Sequence, residues 1–223
     1  MRRKVRNIVI FFAGLAFRLR RKQNLTDFEL FVRNGYDRTL LEDIELDSSS
    51  ICLDFGGYTG EFTARLNRKY SCEIHVFEPI EEYFLKLQLR FSKFSNVICH
   101  NFAVGRKTES RTLQVDSDST GEFATGEKID AIFKSSDELT SFVSPPFGLI
   151  AMNIEGGEYE LIEVLHASQL IRATRYILVQ FHNLTSTSLD DRAKSRLLLM
   201  ETHKMVWNYD FVWELWELDS KTQ

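Results

Sequence analysis

Chain breakers are scarce in this sequence. Its 223 residues include only 3 prolines and 11 glycines, which excludes a collagen-like fibre and leaves few points where a helix or strand must stop. Cysteine is equally thin. Cys52, Cys72 and Cys99 are odd in number, lie in apolar strand-like runs and lack zinc spacing, so buried free thiols in a reducing compartment are expected. Acid is absent from residues 1–23, which hold eight of the 28 Lys+Arg; the rest of the chain therefore sets 20 bases against 32 acids. A body that acidic excludes a nucleic-acid partner on charge grounds, because phosphates demand a basic footprint. Hydrophobic residues make up 43% and charged residues 27%, with 18 Phe, which excludes a disordered chain or a multi-span membrane protein. One domain of this length buries a large core without staples.

The N-terminal arm, residues 1–23, brackets a ten-residue apolar stretch (Ile8–Phe17) between basic clusters. As a helix that stretch covers about 15 Å, half of the about 30 Å hydrocarbon core. Arg18–Lys22 stands where a cleavable signal would carry small residues. Two expectations stay open: a helix packed on the domain, or a helix lying peripherally in an anionic membrane interface. The second would place a cytoplasmic protein at the inner face of the membrane.

Residues 24–50 read as an amphipathic helical lead-in (Phe28, Leu30, Phe31, Leu40, Leu41, Ile44) ending at Ser48-Ser49-Ser50. From residue 51 to 223 short apolar runs alternate with helical periods. Strands are predicted at 51–55, 73–77, 96–104, 147–154 and 175–181, with closing antiparallel strands in 208–218. Helices are predicted at 59–70, 80–91, 158–166 and 188–203, and a polar hairpin between 105 and 132. This order implies βαβ units, an α/β fold with a mainly parallel sheet and helices on both faces. Ligands of such sheets bind beyond the carboxyl ends of the strands.

After the first strand comes Asp54-Phe55-Gly56-Gly57-Tyr58-Thr59-Gly60. Glycines let the backbone turn sharply and approach a ligand at a helix N-terminus. The spacing D-x-G-x-x-x-G is not the nicotinamide fingerprint G-x-G-x-x-G, which argues against an oxidoreductase. An acid beside this turn suits an ammonium group better than a pyrophosphate. The second strand ends at Glu78, 24 residues after Asp54, where an acid grips a ribose diol in Rossmann-like folds. The plain structural alternative is a Glu leading into a helix before Pro79.

The runs ICLDFGGYTGEFT, IHVFEP, NVICHNFAVG, LIAMNIEGGEYELIEVL and ILVQFH, in this order, resemble the FkbM family of S-adenosylmethionine-dependent methyltransferases over residues 48–218. The resemblance implies a Rossmann-like class I methyltransferase sheet of seven strands and O-methylation of a hydroxyl on a sugar, glycan or small metabolite. It also implies that Gly56, Gly57 and Gly60 wrap the methionine part of S-adenosyl-L-methionine with Asp54 near its ammonium. Glu78 would hold the ribose, and Asn101, Phe102 and Ala103 would lie by the adenine. Asn153, Glu155 and Gly156 would face the sulfonium and the acceptor.

Departures from the family pattern bear on catalysis. Ala151 and Asn153 stand where Lys and Asp are usual, Gln180 where Glu is usual, and Tyr58 where a smaller polar residue is common. Asn153 hydrogen-bonds but cannot act as a base. They favour a rival expectation, a cofactor-binding scaffold of a glycan-assembly complex without strong turnover. His182, just after the fifth strand, is the candidate base, its ordinary pKa near 6.5 suiting neutral pH; a structural hydrogen bond is its alternative. Glu155 with Glu158 makes no compelling magnesium set, so no metal is expected. Ser144-Pro145-Pro146-Phe147 reads as a turn leading into a strand, and Trp207, Trp213, Trp216 and Phe211 as core residues.

Overall fold

The computed structural model describes residues 26–35, 40–115, 120–121 and 127–222; the basic arm of residues 1–23 lies outside them. The chain divides into two compact units, residues 1–42 and 43–223. In the first, α1 (Asp27–Arg33) starts at a capping box. Thr26 Oγ1 accepts from the Glu29 N–H at 3.2 Å while the Glu29 carboxylate accepts from the Thr26 N–H at 2.7 Å. The lead-in is not helical throughout: residues 44–47 lie outside any helix. There the Asp47 carboxylate accepts from the Ser49 N–H at 2.9 Å and the Ser50 hydroxyl at 3.1 Å, the local bonding by which Asp and Ser compete with helix.

The second unit runs β1 (Ile51–Phe55), α2 (Glu61–Tyr70), β2 (Glu73–Phe77), α3 (Glu81–Phe91), β3 (Val97–His100), β4 (Ala103–Gly105), β5 (Glu109–Val115), β6 (Thr120–Gly121), β7 (Glu127–Ser135), α4 (Ser136–Phe142), β8 (Phe147–Met152), α5 (Glu158–Ala167), β9 (Thr174–Val179), α6 (Ser188–Met200), β10 (His203–Tyr209) and β11 (Trp213–Leu218). Seven strands form the main sheet in the order β10-β11-β9-β8-β1-β2-β3. The strands from β3 to β9 pair in parallel, and β11 and β10 close the far edge antiparallel. Parallel strands are covered on both faces, which is why ICLDF and FGLIAM, Asp54 apart, run apolar in succession rather than alternating. The core joins Leu53, Ile150 and Ile177 of the central strands to Leu161 and Leu165 of α5 and to Trp216.

The expected hairpin forms as β5 with β7, antiparallel from Glu109↔Phe133 to Val115↔Glu127, inside a second sheet ordered β4-β7-β5-β6. Arg111 forks onto Glu160 of α5 at 2.7 and 2.8 Å, tying that sheet to the helix. Two of the boundaries that differ from the sequence reading have a clear physical reason. The run 96–104 is not one strand: the chain leaves the main sheet at Asn101 and enters the second sheet at Ala103. Helix α6 stops at Met200 rather than His203, because His203 is buried at the start of β10, with Nδ1 on Thr202 Oγ1 at 2.8 Å and Nε2 on the Thr174 carbonyl at 3.0 Å. All three cysteines are free, and Cys52 and Cys72 are buried with sulfurs 3.5 Å apart. Among the described residues no helix is long and apolar enough to cross a membrane.

Candidate functional site

Strand order reverses at β1, which pairs with β2 on one side and β8 on the other. The loops leaving the carboxyl ends of β1 and β8 lie at this switch point, where sheets of this kind bind ligands. The first loop is pinned by the Gly56 N–H, which donates to the Phe77 carbonyl at 3.0 Å, and the Gly57 N–H, which reaches the same oxygen at 3.3 Å. From the second loop the Asn153 N–H donates to the Phe55 carbonyl at 3.1 Å.

The glycines are demanded by the protein's own packing. Gly56 has φ +90°, and a Cβ there would lie 2.3 Å from the Asn153 carbonyl oxygen. Gly60, which caps α2, has φ +77°, and a Cβ there would lie 2.6 Å from the Phe91 ring. Their side-chain directions are filled by protein atoms, so what they leave free for a ligand is backbone. Gly56→Ala combines a left-handed backbone with a clash against main chain and is expected to cost about 2–4 kcal/mol. A chemical-denaturation midpoint within error of the parent protein would contradict this.

Asp54 and Glu78 lie at the ends of β1 and β2, each 5% exposed. Thr63 of α2 donates its hydroxyl to Asp54 Oδ2 at 2.5 Å. The Glu78 carboxylate accepts from the Tyr58 N–H and the Ile80 N–H, both at 2.9 Å. Among the described residues no Lys or Arg makes an ion pair with either acid. Burial pushes Asp54 up to about 7, against the Thr63 hydrogen bond and with help from the Glu78 charge. Burial likewise pushes Glu78 up to about 7, against its two backbone donors. Thr63 was missed in the sequence, where it reads as one more residue of a helix; only its nine-residue offset from a strand-end acid hints at it.

Asn101 is exposed, and its side-chain amide donates to the Glu78 carbonyl at 3.0 Å and the Pro79 carbonyl at 3.3 Å. It thereby braces the loop that carries Glu78. The Phe102 ring is buried against Phe77, 5.4 Å between centroids, so it is a core residue; Ala103 begins β4 opposite Phe133. Tyr58 is in the left-handed region at φ 46°, 45% exposed, with its ring edge-on to Tyr83 at 4.7 Å.

Beyond β8 and β9 a second cluster forms. Asn153 is exposed, and Glu155 takes φ 49°, a strained value for a residue with a side chain. Glu158, in the first turn of α5, is fully buried. Its carboxylate accepts from the Gly156 N–H at 2.8 Å, the His182 N–H at 2.6 Å and His182 Nδ1 at 3.2 Å. His182 Nε2 is buried, has no hydrogen-bond partner among the described residues and faces Glu155 Oε2 at 3.6 Å. Burial pushes the imidazole down, but the Glu158 hydrogen bond and the charges of Glu158 and Glu155 outweigh it and hold His182 above its ordinary value. Burial raises Glu155, against the pull of His182. The sequence showed Glu158 only as a weak metal candidate; its role as an anchor is set by the fold. Among the described residues no group of three or more His, Cys, Asp and Glu side chains is arranged to hold a metal ion. Ser144-Pro145-Pro146 does lead into a strand, and Trp213 and Trp216 are buried.

No protein-family model and no curated protein matches the sequence. Solved structures do match the fold. Methyltransferase FkbM from Methylobacillus flagellatus KT aligns with TM-score 0.57 and 17% identity over 86% of this chain and 52% of its own. The chain thus spans about half the length of that protein. A chain of the fibrillarin/NOP5P complex aligns at 0.52 with 14% identity over 86% of this chain and 80% of its own. Aeropyrum pernix fibrillarin, holding natively bound S-adenosyl-L-methionine, aligns at 0.51 with 11% identity over 84% of this chain and 74% of its own. The fold is that of the Rossmann-like class I methyltransferases. At these identities the likeness establishes the fold alone.

Proposed function

We propose that the protein is an S-adenosylmethionine-dependent methyltransferase of FkbM type, transferring methyl to a hydroxyl of a sugar, glycan or small metabolite. The observation that carries this reading is the pair of buried carboxylates, Asp54 and Glu78, at the switch point without a basic partner among the described residues. Burying such acids is costly, and a ligand that brings an ammonium group and a diol repays it. The residues therefore fit the cofactor: Asp54 toward its ammonium, Glu78 toward its ribose, the 56–60 backbone around its methionine part, and the backbone of Asn101–Ala103 beside its adenine. When bound, the cofactor supplies an already activated methyl group. The protein then contributes alignment and exclusion of water, and takes up one proton. Glu155, His182 and Asn153 stand on the acceptor side.

Calorimetry with S-adenosylhomocysteine tests the reading. Binding by the folded protein is expected, and its absence would sink the cofactor assignment. Asn153, exposed where the family carries an acid, favours a second reading in which the chain binds cofactor as a glycan-assembly scaffold. Methyl transfer from labelled cofactor to glycan or metabolite acceptors, lost in Asp54→Ala, would decide for the enzyme. The arm of residues 1–23 is proposed to hold the protein at an anionic membrane, each base near the surface adding about 1 kcal/mol. Co-sedimentation with anionic vesicles at low salt, lost on deleting the arm, is the expected result.

A further inference from the structure

Three side chains beyond β8 and β9 divide the work of the acceptor side more finely than a lone histidine base. The His182 ring lies between two carboxylates, Nδ1 at 3.2 Å from Glu158 Oε1 and Nε2 at 3.6 Å from Glu155 Oε2. A neutral ring has one bare lone pair, which here would face an anionic oxygen in a buried place; only the imidazolium presents N–H to both neighbours. Glu158 cannot withdraw from this arrangement, because two backbone N–H groups also hold its carboxylate. The three side chains differ in access: Glu158 is fully buried, His182 is 9% exposed and Glu155 is 26% exposed. A substrate therefore reaches Glu155 first.

We propose that His182 is a fixed cation rather than the base, that Glu158 is the positioning residue that keeps it protonated, and that Glu155 is the carboxylate it holds out to receive the acceptor's proton. This assignment rests on the methyl-transfer reading. In that step the acceptor's O–H bond breaks and its proton passes to Glu155, the oxygen gains the methyl carbon, and the S–C electron pair stays on sulfur. Glu155 suits the task because burial makes it more basic than a free carboxylate, while its pairing with His182 keeps it ionised and aimed. The charged groups facing the His182 ring are Glu158 of α5 and Glu155 of the turn; neutral Tyr159 of α5 donates its hydroxyl to the His182 carbonyl at 2.6 Å. Arg192 of α6 is committed to Glu214 at 2.6 Å and Asp210 at 2.8 Å.

The test is a pH titration of the full chain by nuclear magnetic resonance, with ¹⁵N-histidine and ¹³C-carboxyl glutamate labels and signals assigned by loss in His182→Asn and Glu155→Gln. Both His182 nitrogens are expected to show imidazolium shifts at pH 7. Glu158→Gln should lower the proton affinity of His182 by tenfold or more, Glu155→Gln should lower it less, and His182→Asn should raise that of Glu155. Half-buried His100 and buried His203, each pushed down to about 4 chiefly by loss of solvation, stay neutral and do not obscure the window. A neutral His182 ring at pH 7 would overturn the proposal and restore it as the base. So would a His182 titration unmoved by Glu155→Gln, a variant at a partly exposed position that serves even where Glu158→Gln fails to fold. S-adenosylhomocysteine calorimetry on the same samples keeps the two readings apart, since the titration needs no cofactor.

Discussion

Glu78→Gln is expected to weaken S-adenosylhomocysteine binding by tenfold to several hundredfold. Hydrogen bonds to a charged group are worth about 1.5–3 kcal/mol each, and a carboxylate accepts two from a ribose diol where an amide offers one acceptor oxygen and a misplaced donor. The variant should fold. Its oxygen can still take the Ile80 N–H that the carboxylate accepts at 2.9 Å, and the neutral group escapes the cost of burying charge. Calorimetry measures the affinity and thermal unfolding the integrity of the sample. Affinity unchanged within twofold would show that Glu78 serves only the loop, through Tyr58 and Ile80.

Asp54→Asn is expected to raise stability at pH 7 by on the order of 2 kcal/mol while weakening binding of the ammonium-bearing ligand. The sign follows from burial. Asp54 titrates near 3.8 unfolded and is pushed up to about 7 in the native state, so between those values the native state holds a proton that the unfolded chain has released. Stability contributed by this group is complete below about pH 4, falls as pH rises, and is gone above about pH 7. Glu78 adds a parallel loss over the same window. Asparagine keeps an acceptor for the Thr63 hydroxyl and carries no charge, so the slope between pH 4 and 7 should flatten in unfolding curves. Denaturation midpoints that rise with pH across this window in the parent protein would contradict the assignment. Ligand affinity should instead climb toward pH 7 and above, as Asp54 ionises.

These opposite expectations describe one trade. Two acids kept against their solvation cost make the free protein less stable than neutral residues would, and a ligand of matching charge recovers the difference. Structural ion pairs elsewhere have no such debt: buried Glu214 accepts from Arg192 at 2.7 Å, from Arg196 at 2.8 Å and from the Trp216 indole at 3.1 Å.

Much of this was legible in the sequence, because period-two and helical patterns record which faces are covered. The runs 51–55 and 147–152, apolar but for Asp54, show strands buried on both sides, and their alternation with helices forces parallel pairing and puts the ligand-binding edge at the carboxyl ends. Asp54, Glu78 and His182 could be marked as strand-end residues for the same reason. What the one-dimensional pattern could not carry is what packs against each residue. The run 96–104 reads as one strand, but Asn101 turns out of the sheet to brace the Glu78 and Pro79 carbonyls. The glycines read as making room for a ligand, whereas Asn153 and Phe91 occupy the space beside Gly56 and Gly60. Glu158 reads only as a weak metal candidate, and only the fold brings it within hydrogen-bond distance of His182, 24 positions away. Local periodicity thus determined the layers and the edge where chemistry sits. Tertiary contact decided which carboxylate is buried, which is exposed, and which charge each carries, because those depend on distances between segments far apart in the chain.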